Sequence, residues 1–188
     1  KLGLDTKADQ YDPATARKQL NAARNQLESM EYEKALNTTR TILKRTSPSS
    51  AFSVEAAKLF PETIYRQGLY QYGLGEKKKF NNKMQFLTED FSYSTWSKKA
   101  NETLKNIEQT PDGMVYVPEN RFYMGLTKSE LRTYLRSYYP DSVFSSTEEF
   151  ELVLKLEGYA SQLPEHIATT KAFYIDKTEV TNAEYHKF

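Results

Sequence analysis

The side chains that could carry chemistry are few and lie late in the chain. Two histidines, His166 and His186, share this region with a carboxylate pair, Asp176 and Glu179. Neutral imidazoles are common metal ligands, and paired carboxylates can act as general acid and base when their environments separate their pKa values. The histidines stand twenty positions apart, whereas a catalytic metal needs three or four ligands around an open position. His166 precedes a β-rich segment, where a hydrogen-bonding or packing role is expected, and His186 is expected at the surface. Asp176 and Glu179 sit where a strand gives way to a helix start, a place where carboxylates bond nearby backbone. The chain has no cysteine, which excludes a thiolate metal site, a cysteine nucleophile and a disulfide within it. No catalytic, cofactor-binding or metal-ligating residue is therefore assigned.

What must position any site is a polar chain of 188 residues, long enough for one ordinary domain or two small ones. Fourteen tyrosines and ten phenylalanines supply large apolar area per residue for a core. Charge divides unevenly. Residues 1–110 carry 18 Lys/Arg against 13 Asp/Glu, giving +5, and residues 111–188 carry 8 against 12, giving −4. The asymmetry predicts a two-part chain and is too mild for a nucleic-acid-binding face. No apolar run reaches the 18 residues a membrane span requires. The opening KLGLDTKADQ has neither a signal-peptide apolar region nor an initiator Met, so a processed or trimmed end is expected.

Helical spacing governs the first part. Ala16, Leu20, Ala23 and Leu27 fall on one face, and after a break at SMEYEKAL so do Ala35, Thr39, Ile42 and Leu43. TSPSS closes this pair. Ala56, Ala57, Phe60, Ile64 and Tyr65 are packing candidates of a next helix, which Pro61 is expected to kink or restart. LGEKKKF at 74–80 is expected as a polar turn, with the three lysines facing water. Phe80, Met84 and Leu87 mark another helix. Ser94 is placed as N-cap of a last one carrying Trp96, Ala100, Leu104 and Ile107.

The stretch MEYEKAL, with Tyr32 and Ala35 at matching positions, Met30 or Glu31 in place of the turn glycine and Pro48 near the terminal proline, resembles a tetratricopeptide repeat. The order of short helix, aromatic-serine loop, Trp96, Ala100 and Leu104 resembles repeats of bacterial envelope lipoproteins of that type. Stacked hairpins of this kind bury a continuous core only with neighbours.

At residue 111 the period changes. Pro111-Asp112-Gly113 is a turn signal, Met114 to Val117 and Arg121 to Met124 are short β runs, and Pro118-Glu119-Asn120 between them predicts a hairpin. Thr127 and Glu130 form a capping box before Leu131, Tyr134, Leu135 and Tyr138. Pro140-Asp141 ends that helix, and Ser146 to Glu149 open another carrying Phe150, Val153 and Leu154, which Gly158 can close. Near the end, Phe173 and Ile175 alternate with Tyr174 and Asp176 as in a half-buried strand. Thr181 and Glu184 make a second capping box, with Tyr185 and Phe188 on one side of the helix it opens.

Gly113, Met114, Val115, Pro118, Phe122, Met124 and Gly125 in GMVYVPENRFYMG resemble the opening of the formylglycine-generating enzyme, or sulfatase-modifying factor, family. Pro164, His166, Phe173 to Lys177, Glu179 to Asn182, Tyr185 and Phe188 continue the likeness. The resemblance implies an α+β chain: a tetratricopeptide-like helical array, then the incomplete start of a mixed domain of C-type-lectin-like fold. The expected divisions are an extension at 1–13, the array at 14–109 and the domain at 110–188, with a helical insert at 126–162.

In the true enzymes of that family two cysteines bind copper, and iron-dependent relatives use histidines. Copper or iron is thus expected only with a catalytic half downstream of Phe188. The reading favoured is a non-catalytic interaction and assembly component of the bacterial cell envelope, exported to the periplasm, outer membrane or cell surface. Its helical repeats would take protein partners, and the rest of the same domain or another chain would complete 111–188. The alternative is the opening of a metal-dependent oxidase.

Overall fold

The structure, a computed structural model, describes residues 11–138, 146–156 and 158–187. Its contacts divide the chain into one unit of residues 1–120 with 172–188 and a second of residues 121–171. The fold class is α+β.

In the first unit, five helices follow one another: α1 (Pro13–Glu28), α2 (Tyr32–Arg45), α3 (Ala51–Gly73), α4 (Lys77–Asp90) and α5 (Thr95–Glu108). Local chemistry sets their starts. The Asp12 carboxylate accepts from the Ala14 and Thr15 amides at 2.9 and 3.0 Å, with Pro13 at the first helical position. Ser50 and Ser94 cap α3 and α5 by accepting from the Ser53 and Ser97 amides. Between α1 and α2 the chain reverses through Met30 at φ 59°, a left-handed conformation that favours glycine.

Ala16, Leu20, Ala23 and Leu27 are all buried, as their spacing predicts. The last three join Tyr32, Ala35, Ile42, Ala56 and Leu59 in one apolar cluster over α1, α2 and α3. A second cluster joins Leu36, Phe60, Ile64, Leu69, Phe80, Met84, Leu87 and Ala100. Tyr32 meets the Tyr70 ring at 5.8 Å, and the Tyr65 hydroxyl bonds that of Thr103 at 2.9 Å, linking α3 to α5.

Three helical expectations need correction. Pro61 does not restart its helix: α3 runs 23 residues through it. An interior proline costs about 3 kcal/mol. Leu59, Phe60 and Ile64 around it are buried, each contributing about 1.5–3 kcal/mol, so packing on both sides holds the helix together. Ala57 faces solvent and Leu59 takes the buried place. The lysine run is the first turn of α4, not part of a loop.

The sheet contradicts the predicted hairpin. Strands β1 (Met114–Val117) and β2 (Asn120–Met124) do not pair with each other. A tight two-residue hairpin needs positive φ, and neither Pro118 nor Glu119 adopts it. Instead β1 pairs antiparallel with β4 (Phe173–Asp176), Val115 opposite Ile175 and Tyr116 opposite Tyr174. On one face Tyr116 is buried, and its hydroxyl accepts from Asn106 at 3.2 Å. On the other, Val115, Phe173 and Ile175 remain 37%, 42% and 52% exposed. The strand expected at 173–176 forms as β4, but all four of its residues are exposed, so it lacks the expected buried face. A short helix, α8 (Asn182–Tyr185), follows. Its expected capping box rests on the Glu184 side chain, which with Phe188 lies outside the described residues.

In the second unit β2 pairs with β3 (His166–Thr170). Helix α6 (Lys128–Leu135) begins with the predicted capping box: the Glu130 amide donates to Thr127 Oγ1 at 3.2 Å, and the Thr127 amide donates to the Glu130 carboxylate at 2.9 Å. Leu131 and Leu135 pack with Phe150 and Leu154 of α7 (Thr147–Leu156). Tyr134 and Tyr138, expected on the same stripe, are exposed and pair with each other at 5.2 Å. Pro140-Asp141 and Val153 lie outside what is described. A 3-10 turn, Tyr159–Gln162, leads toward β3. No helix among the described residues is long and apolar enough to cross a membrane.

Candidate functional site

The residues weighed for chemistry at the outset have structural partners or face water. His166 opens β3, and its Nδ1–H donates to the Pro164 carbonyl at 3.0 Å. His186 is exposed after α8, its amide donating to the Asn182 carbonyl. Asp176 ends β4 opposite Met114, and Glu179 is exposed. Among the described residues no three His, Cys, Asp or Glu side chains come together as metal ligands.

A different site emerges in the first unit, where three helices each contribute one face. From α2 come Leu36 and Arg40, from α3 Ile64 and Gln71, and from α4 Lys79, Asn82, Lys83 and Phe86. These are separations of 4, of 7, and of 3, 4 and 7 residues, which keep each set on one side of its helix. The open cleft they line has a volume of about 380 Å³, within the range of roughly 300–1,000 Å³ typical of ligand sites. Its floor is apolar, since Leu36 and Ile64 are almost wholly buried.

The walls are cationic. Arg40 lies over the Phe60 ring at 5.4 Å and reaches Asn37 Oδ1 at 3.4 Å. Lys79 pairs with Glu76 at 2.6 Å. Burial pushes the Lys83 ammonium below the usual lysine range; the charge of Glu33 opposes that shift and Arg40 adds to it. Glu33 also accepts from Gln67 Nε2. Two buried acceptors, Gln67 Oε1 and Gln71 Oε1, have no protein donor. The cleft thus brings Arg40, Lys79 and Lys83 together with the half-exposed Phe86 ring.

Sequence reasoning passed over Arg40, Gln71 and Lys83, and assigned Lys79 to a solvated turn. The signal was present in the spacing of Lys79, Asn82, Lys83 and Phe86 on the polar side of α4. It carried no weight until α2 and α3 brought Arg40 and Gln71 opposite.

Five successive helices carrying the cleft are thus joined through β1 to a short antiparallel strand pair. Residues 99–188 match the family model of the sulfatase-modifying factor enzyme 1-like domain. The match begins inside α5 and covers β1, β2 and everything after them. Neither curated proteins nor solved structures provide a match to the chain.

Proposed function

We propose that the chain is a protein-interaction and assembly component of the bacterial cell envelope. In this reading a tetratricopeptide-like helical scaffold is joined to a sulfatase-modifying-factor-like domain used for binding. The observation that carries it is the open, cationic cleft on α2, α3 and α4, a surface suited to recognising another polypeptide. The order of the helices, with the extensive interhelical contacts made by neighbours in sequence or next-but-one, supports the repeat-like reading. The exposed apolar face of Val115, Phe173 and Ile175 is read as a surface covered by the rest of the domain or by another chain. Fold does not dictate chemistry, and a family of enzymes can include binding proteins.

The second reading is the opening of a metal-dependent formylglycine-generating oxidase, and the family match over 99–188 is what favours it. Both are tested on the full gene product. A photo-crosslinking amino acid at Phe86 or at Ile175 should trap a discrete polypeptide in cells, and trapping at neither position overturns the scaffold. In parallel, the protein is incubated with copper and a cysteine peptide substrate. Aldehyde detected by oxime ligation and mass spectrometry establishes the oxidase and removes the non-catalytic reading.

A further inference from the structure

We propose that Tyr134 and Tyr138 form an oxidative modification site, at which a one-electron oxidant joins the two rings by a carbon–carbon bond into dityrosine. The site goes beyond both functional readings above and depends on neither.

Proximity comes first. Tyr134 lies in the last turn of α6 and Tyr138 four positions on, a separation that sets side chains beside each other. The Ser137 amide donates to the Tyr134 carbonyl at 3.1 Å and the Tyr138 amide to the Leu135 carbonyl at 3.0 Å, so backbone bonds hold the segment that links them. Their ring centroids stand 5.2 Å apart at an interplanar angle of 52°. A hydrogen bond between the two phenols brings the oxygen-bearing ends of the rings together. The ortho carbons flank those ends, and they are the carbons that couple.

Accessibility then selects this pair. Tyr32 with Tyr70 and Tyr116 with Tyr174 also meet ring to ring, but Tyr32 and Tyr116 are buried, which shields one ring of each pair from an oxidant. Tyr134 and Tyr138 are 52% and 68% exposed, so both rings can be reached and both can turn to meet. Tyr93 is more exposed still, yet the ring it meets is Phe91, which has no phenol to oxidise.

The step balances. Each phenol gives one electron to the oxidant and its hydroxyl proton to water, leaving a phenoxyl radical whose spin is shared with the ortho carbons. Two ortho carbons join. Each then loses its hydrogen as a proton while the oxygen of its ring gains one, so both rings recover as phenols. Two electrons and two protons have left. A haem peroxidase passes the electrons to hydrogen peroxide, which with two protons becomes two molecules of water. Rings already in contact couple in a unimolecular step, ahead of coupling between separate chains. The bond ties residue 138 to the end of α6 whose Leu131 and Leu135 pack on Phe150 and Leu154.

The test treats the whole chain, in dilute solution, with a haem peroxidase and limiting hydrogen peroxide. The monomer fraction should gain dityrosine fluorescence and lose the mass of two hydrogen atoms, with a yield per chain that does not change on dilution. Trypsin cuts after Arg132, Arg136 and Lys155, so after denaturation peptides 133–136 and 137–155 should be found joined. Fluorescence of the monomer should fall by about tenfold in Y134F and in Y138F, because neither keeps two phenols in contact. In Y139F, which alters the neighbouring phenol of the same peptide, it should be unchanged. Both substituted rings are exposed and leave Leu131 and Leu135 in place, so circular dichroism should match the wild type; if a variant misfolds, the peptide map of the wild type decides alone. A yield that falls on dilution while covalent dimers form overturns the proposal. So does a link mapped to Tyr32 and Tyr70 or to Tyr116 and Tyr174 in place of this pair, or fluorescence that survives Y138F.

Discussion

The Tyr72 hydroxyl donates to the backbone carbonyl of Tyr116 at 3.1 Å, across 44 positions of chain. It ties the C-terminal end of α3 to the middle of β1, the first strand after the helices. The Tyr72 ring also packs on Phe80 at 5.0 Å, a contact that phenylalanine keeps. Tyr72→Phe should therefore cost about 0.5–1.5 kcal/mol, the net value of one hydrogen bond, read as a lower urea midpoint at unchanged slope. Burial first, and then Tyr116, raises the Tyr72 phenol above its ordinary range. Its contribution is complete below the unfolded pKa and is lost as pH rises through the folded one. Tyrosinate absorbance of the wild type should show a late-titrating group that Tyr72→Phe removes.

Gly125 sits at φ 88°, and a Cβ there would lie 2.6 Å from the carbonyl oxygen of Gln162. That oxygen already accepts the Leu126 amide at 2.9 Å, so the backbones are held together and cannot part cheaply. Gly125→Ala should cost about 1–3 kcal/mol from conformation alone, with the clash adding to it. Faster amide exchange in β2 and in 159–170 should report the loss, with α1 to α4 unchanged.

This glycine shows how the sequence was readable. Its position at the end of a β run was evident, but the reason for it, Gln162, arrives 37 residues later. Helices were legible because their signals are local: Ser94, the Thr127–Glu130 box and the spacing from Ala16 to Leu27 each act within a turn or two. Strand pairing was not legible, because Pro118-Glu119 looks like a turn between two β runs while the true partner of β1 lies beyond residue 170. The cleft was invisible for the same reason. Arg40, Gln71 and Lys83 are ordinary polar residues of three separate helices until packing sets them opposite one another.

The capping box of α6 has a pH signature. Hydrogen bonds from the Thr127 amide and then its hydroxyl hold the Glu130 carboxyl below the usual glutamate range. A lowered acid pKa contributes stability that is present above the unfolded value and lost as pH falls through the folded one. A carboxyl-carbon NMR titration should find Glu130 among the more acidic glutamates. Thr127→Ala removes the hydroxyl but keeps the amide, so it should move Glu130 part of the way back and fray the first turn of α6.

Lys83 has an alkaline signature. Desolvation lowers its pKa, with Arg40 adding to the shift, so the folded protein holds this charge at a disadvantage. For a base depressed in this way, stability rises with pH between the folded pKa and the ordinary lysine value of about 10.4. Lys83→Met keeps the apolar stem against α3 and removes the charge. The side chain remains partly solvated, so the gain should be small, no more than about 1 kcal/mol, and the alkaline rise in stability should flatten. Urea midpoints of the variant and the wild type compared across alkaline pH decide it: a variant that loses stability would mark the Lys83 ammonium as a stabilising group.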